Sequence, residues 1–97
     1  MTQLPPSPQI RHELSANRFE LQMGDSTAVL QYSVQDGTIF FTHTQVPTEL
    51  EGKGIGSLLV RAGLDFARNN AYRVVPVCWF VAGYIERHTE YQDLLKS

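Results

Sequence analysis

The chain's 97 residues suffice for one domain and are too few for two. A net charge of -2, with 19% charged residues, lacks the basic footprint of a nucleic-acid binder, and the lone Cys78 excludes an internal disulfide or a multi-cysteine zinc site. His12, His43 and His88 show no metal-ligand spacing, no apolar run nears the ~18 residues that cross a membrane, and the first residues lack a signal-peptide core, so the expectation is a cytoplasmic protein with no metal and no nucleic-acid or membrane partner.

Residues 1–13, with Pro5, Pro6 and Pro8 and no periodicity, read as a flexible N-terminal arm, leaving 14–97 as the domain. Phe19, Leu21 and Met23 alternate with Glu20 and Gln22, and Gly24-Asp25 closes that run as a half-buried strand. A second strand, Ala28 to Gln35, sets Ala28, Leu30, Tyr32 and Val34 on one face. Asp36-Gly37 predicts a type I′ hairpin turn, which needs positive φ at both central residues. Thr38 to Val46, rich in β-branched and aromatic residues, is the returning strand of an antiparallel meander.

Pro47 breaks the pattern, and Thr48 to Gly56 reads as a Gly-rich loop. Leu58, Leu59, Ala62, Gly63, Phe66 and Ala67 then mark one face of a helix. Asn69-Asn70 ends it, since Asn tolerates the left-handed conformation. Arg73 to Trp79, in an apolar run through Val81, suits a strand buried on both faces. Strand, helix and strand make a βαβ unit with a right-handed crossover. Val81 to His88 predicts a further helix, and Thr89 a cap for a last short one, Glu90 to Leu95. The fold class is α/β: a meander, a βαβ unit and C-terminal helices.

Gly52, Gly54 and Gly56 alternate between a strand and a helix start. A helix start leaves backbone N–H groups unpartnered and carries partial positive charge, and glycines let an anion come close. Lys53 adds a charge at the rim. The loop lacks the Gly-Lys-Ser/Thr of a Walker A motif and the Gly-x-Gly-x-x-Gly of a dinucleotide fold. It predicts a phosphate or pyrophosphate site; the plainer reading is a turn that only joins strand to helix.

Two further residues bear on chemistry. Cys78 follows an apolar run, and an inert buried thiol is the simple reading. Its place where a strand ends and a helix begins offers another, because a helix N-terminus lowers a thiol's pKa. Strict alternation puts His43 on the face of Ile39 and Phe41, as a structural histidine or, if it lines a cleft, a general base. Tyr84 and Arg87 are candidates for a pantetheine or nucleotide-phosphate contact, with Tyr84 otherwise core.

Gly52-Lys53-Gly54-Ile55-Gly56, before a helix and a second strand, resembles motif A of the GCN5-related N-acetyltransferases, Gln/Arg-x-x-Gly-x-Gly/Ala. Gly54 and Gly56 match, and Glu51 stands where Gln or Arg is usual. A longer series is similar to the small single-domain YjdJ-like branch of that family: His43 to Pro47, Glu49 to Ser57, Pro76 to Phe80, Tyr84-Ile85 and His88 to Tyr91. The likeness runs from about residue 18 to 95, with Thr89 where those relatives have Pro.

The resemblance implies a GNAT-like acyl-CoA N-acyltransferase fold, acetyl-CoA or coenzyme A as cofactor, and acetyl transfer to an amine. It assigns the pyrophosphate to Glu51, Gly52, Lys53, Gly54, Ile55, Gly56 and Ser57, and main-chain pairing with the pantetheine to Val46. It gives Cys78 a part in acetyl transfer. Such small relatives lack the N-terminal helices that build the acceptor pocket of larger members, and so does this sequence. The amine is therefore unidentified, and a non-catalytic CoA or acyl-CoA binding module is the alternative.

Overall fold

The computed structural model describes residues 10–95. Five strands lie in the order β1 to β5: β1 (Ile10–Glu13), β2 (Arg18–Met23), β3 (Ser26–Gln35), β4 (Thr38–Gln45) and β5 (Arg73–Pro76). β1 to β4 pair antiparallel, and β5 runs parallel to β4, as a strand reached through a crossover helix must. The α/β class and the meander-then-βαβ order are those expected. At the β3–β4 turn, Asp36 and Gly37 adopt φ of 53° and 77°, as a type I′ turn requires.

The first strand departs from the sequence reading. Of the expected arm, residues 1–9 lie outside the described residues, but Ile10–Glu13 pair with β2, Ile10 opposite Leu21 and His12 opposite Phe19. His12 fills an apolar position: its ring stacks on Phe19 at 4.0 Å and meets the edge of Phe66. Its Nε2 lies 2.6 Å from the Tyr32 hydroxyl. A histidine in that slot hides the alternation from a hydrophobicity pattern.

Helix α1 (Ile55–Asn69) crosses the inner face of the sheet and touches β2 to β5. Gly63 sets how closely it lies: a Cβ there would fall 2.8 Å from Phe41 Cε1 and 2.9 Å from Leu30 Cδ2. The helix ends in a Schellman closure, Tyr72 N–H to Ala67 O and Ala71 N–H to Arg68 O. The left-handed residue is Ala71, at φ 57°, in place of the expected Asn69 or Asn70. The Asn70 side chain instead donates to Phe66 O at 2.8 Å.

β5 stops at Pro76, short of the expected Trp79, because a proline has no N–H to continue the ladder. Helix α2 (Trp79–Arg87) starts two residues before the expected Val81. The last segment, Thr89–Leu94, is 3-10 rather than α-helical. Tyr91 Oη donates to Asp65 Oδ1 at 2.8 Å, and Arg68 grips both carboxylate oxygens of Asp93 at 2.9 Å, which holds the segment against α1. Leu95 then bridges Val74 along the free edge of β5.

Candidate functional site

β4 and β5 are paired only as far as Phe41 and Pro76. Beyond that point β4 continues against β3 alone, while Val77 and Cys78 turn away into α2. The last link across the gap is Cys78 N–H to Phe41 O at 2.9 Å. A wedge therefore opens between two parallel strands, bounded by the end of β4, the mouth of α2 and the mouth of α1.

β4 carries a bulge within this wedge. Tyr32 of β3 faces Phe41 and the next residue back, Gln31, faces His43, so Thr42 is the extra residue. A bulge reverses the alternation that follows it. Thr44 thus comes opposite buried Leu30 and takes the inner face, and His43 comes opposite exposed Gln31 on the outer face. The expected grouping of His43 with Ile39 and Phe41 is corrected on that ground: His43 is exposed on the side of the sheet away from Cys78.

The glycine loop forms the wall on the α1 side. After a 3-10 turn at Thr48–Leu50, the chain passes Gly52 at φ 81° and Gly54 at φ 74°, and Gly54 caps α1. A Cβ on either glycine would meet nothing within 4 Å, so this stretch of backbone is open. Among the described residues, no backbone or side-chain acceptor takes the N–H of Gly52, Lys53, Gly54, Ile55, Gly56 or Ser57; the first helical bond is Leu58 N–H to Gly54 O. Successive unpartnered amides at a helix mouth are what an anion cradle consists of.

The three glycines divide their work. Gly52 and Gly54 supply positive φ in open space. Gly56 is buried inside the first turn, and a Cβ there would lie 2.7 Å from Phe80 Cζ. Its missing side chain is used by the Phe80 ring of α2, a partner that the glycine pattern alone does not reveal.

Cys78, half-buried, stands at the N-cap of α2 with its Sγ 3.4 Å from Thr44 Oγ1. Burial pushes its pKa up. The Thr44 hydroxyl and the N–H groups of Phe80, Val81 and Thr44 favour the thiolate by more, so the net shift is downward. The flanking Val77 and Trp79 are 61% and 81% exposed, an apolar rim beside the sulfur.

The other expected residues divide as follows. Lys53, Glu51 and half-exposed Ser57 lie on the loop, and the Glu51 N–H is taken by Thr48 O at 3.2 Å. Val46 falls just past the end of β4, where the strand has already left β5. Arg87 is exposed on the α2 stripe that starts at Phe80, and its Nη1 lies over Gly83, 3.3 Å from where a Cβ would stand. Of the two readings of Tyr84 the structure takes the core one: at 4% exposure its ring stacks on His88 and meets Tyr91. Burial raises its pKa. Thr44 and Phe80 are the site residues that sequence reasoning missed; only a recognised bulge could have placed Thr44.

An apolar cleft of about 230 Å³, lined by residues including Pro76, Ile85 and Leu95, runs along the far edge of β5 and contains none of the expected site residues. No helix among the described residues is long and apolar enough to cross a membrane.

The donor set suits the diphosphate of coenzyme A: unpartnered amides in series, two open glycines and a lysine at the rim, next to a strand whose pairing has lapsed. A family model described as GCN5-related N-acetyl-transferase matches residues 18–94. The chain is similar to Protein NATD1 of Xenopus tropicalis, 27% identical over 86% of this chain and 81% of that one. It is also similar to Protein NATD1 of Homo sapiens, 24% identical over 82% and 74%. The solution structure of a GCN5-like protein from Staphylococcus aureus superposes with a TM-score of 0.73 and 28% identity, over 92% of this chain and 88% of that one. With the family model matched from β2 to the C-terminal turn, the chain belongs to the GCN5-related N-acetyltransferase family.

Proposed function

We propose that this protein binds acetyl-CoA in the wedge between β4 and β5 and transfers the acetyl group to an amine. The observation that carries the reading is the run of unpartnered amides from Gly52 to Ser57 beside the lapsed β4–β5 pairing. In the reaction the amine nitrogen bonds to the acetyl carbon, the carbon–sulfur bond breaks, and the nitrogen's proton leaves so that coenzyme A departs as the thiol.

The protein's residues take defined parts. The loop amides and Lys53 hold the diphosphate, and Arg87 offers a second cation on the α2 side. The β4 backbone past Phe41 is free to pair with the pantetheine amides near Val46 and to polarise a carbonyl. Cys78 is the reacting thiol at the centre of the wedge. It receives the acetyl group by thioester exchange, a step close to thermoneutral, or accepts the amine's proton as thiolate.

Two measurements test this. Acetyl-CoA at 100 times its Kd should stabilise the fold by about 2.7 kcal/mol in a melting experiment; an unchanged transition overturns the binding. Intact-mass analysis after incubation with acetyl-CoA should show one added acetyl group on the wild type and none on Cys78→Ala. Labelling that survives this change removes Cys78 from the mechanism.

A further inference from the structure

We propose that Thr44 is the positioning residue for Cys78, with the Thr42 bulge present in β4 to deliver its hydroxyl to the sulfur. The proposal deepens the proposed acetyl-transfer reading and rests on Cys78 as its reacting thiol.

The geometry runs through a single strand. Phe41, just before the bulge, accepts the Cys78 N–H at 2.9 Å and fixes its main chain. Thr44, just after it, reaches the Cys78 side chain at 3.4 Å. Among the described residues, Thr44 is the only side chain within hydrogen-bond reach of Sγ. Without the extra residue, regular alternation would turn Thr44 outward and put the His43 ring in its place. The strand interrupts its own ladder at the point where its partner β5 departs, and the result is a small hydroxyl against the sulfur.

Threonine suits the task. A β-branched side chain is stiff at χ1, so in a strand its hydroxyl is aimed before any ligand arrives. The hydroxyl accepts from the thiol and donates to the thiolate, and so stays engaged in both protonation states. The thiolate also faces the N–H groups of Phe80 and Val81 at the mouth of α2. No charged side chain is among the leading influences on Cys78. On the elements packed around it, His43 is on the opposite face of β4, Arg73 pairs with Thr38 at the far end of β5, and Glu86 and Arg87 lie two turns along α2. On α1, Arg61, Asp65 and Arg68 lie past the first turn. The groups that meet the sulfur are therefore dipoles, of which Thr44 is the one held by a side chain.

The test uses the purified protein alone. Alkylation of Cys78 by iodoacetamide is followed against pH for the wild type, Thr44→Val, Thr44→Ala and Thr44→Ser, with circular dichroism melts as a check of folding. The valine variant keeps shape and loses the hydroxyl. It should alkylate roughly three- to tenfold more slowly near neutral pH, the scale of one hydrogen bond to a charged group at a half-exposed site, with its midpoint moved up. Serine should restore most of the rate. Alanine makes the same deletion if valine disturbs the strand. The proposal is overturned if valine and alanine match the wild-type profile, or if serine is as slow as either. Because acetyl-CoA is absent, a failure of the acetyl-transfer reading leaves this result standing, and the converse also holds.

Discussion

The Phe80 ring occupies the space that a side chain on Gly56 would need, with Cζ only 2.7 Å from the position of a Cβ. This contact ties the first turn of α1 to the first turn of α2, and so ties the glycine loop to the residue that follows Cys78 by two. Gly56→Ala should displace the ring and cost about 1–3 kcal/mol, as overpacking of a buried site does. Phe80→Leu in the same chain should recover part of that loss. Chemical denaturation of the two single variants and the double variant gives the coupling; strictly additive effects would mean the contact is not formed.

Gly54 stands at φ 74° with open space around it, so a substitution there is strained but not blocked. Gly54→Glu should lower stability by about 1–2 kcal/mol, the cost of a left-handed L-residue. It should also abolish coenzyme A binding by placing a carboxylate over the amides. Calorimetric titration that finds wild-type affinity in a folded Gly54→Glu protein would refute the cradle.

Ala71 pays for the helix closure with a left-handed backbone at φ 57°. It is exposed, so its methyl group contributes little. Ala71→Gly should stabilise the fold by about 0.5–1 kcal/mol, the strain removed less the entropy a glycine adds to the unfolded chain. For a domain of this size a kcal/mol is roughly 4–8 °C in Tm, so thermal melting resolves the gain; a lower Tm would count against the closure described.

Burial in the aromatic slot of β1 holds the His12 pKa below its usual value, and the nearby Glu13 carboxylate only partly opposes this. For a base with a depressed folded-state pKa, the stabilising form is the neutral one. Its contribution is complete above the unfolded value near 6.5 and is lost as pH falls toward the folded value. Denaturation midpoints should decline between pH 7.5 and 5.5, and His12→Phe should flatten that decline. An equally steep loss in the variant would assign it elsewhere.

Trp79 is the only tryptophan and lies 81% exposed beside Cys78. Coenzyme A entering the wedge should change its emission, and the titration should follow the calorimetric isotherm. Emission unmoved at saturating ligand would place the ligand away from α2.

Much of this architecture is legible in the residues. The Asp36-Gly37 turn, the strand of alternating Phe19 and Leu21 and the stripe from Leu59 to Ala67 each follow a local rule, and the structure keeps them, although Leu58, expected on that stripe, is 41% exposed. The glycine loop is legible for the same reason: unpartnered amides at a helix mouth are a local property. Ile10–Glu13 was hidden because the apolar position at His12 becomes apolar only once Phe19 and Phe66 are packed on it. His43 and Thr44 exchange faces because a single-residue bulge has no signature in alternation. Tyr84 reads from the sequence as a cofactor contact or as core, and what selects the core, its packing against His88 and Tyr91, depends on a C-terminal turn whose path no periodicity encodes. Properties carried by neighbours in sequence were readable; those set by a distant partner were not.

The bridge from Leu95 to Val74 has a meaning for the molecule in a crowded solution. β5 is an edge strand, and a bare edge invites a strand of another copy to add to the sheet. The last described turn lies along that edge, pinned there by Arg73 Nη1 donating to Asp93 O at 2.7 Å. At the opposite border, β1 is short and carries the Arg11–Glu13 ion pair. Both flanks of the sheet are thus guarded against intermolecular strand addition, and the cleft between β4 and β5 can stay open inside the sheet without becoming a seed for aggregation.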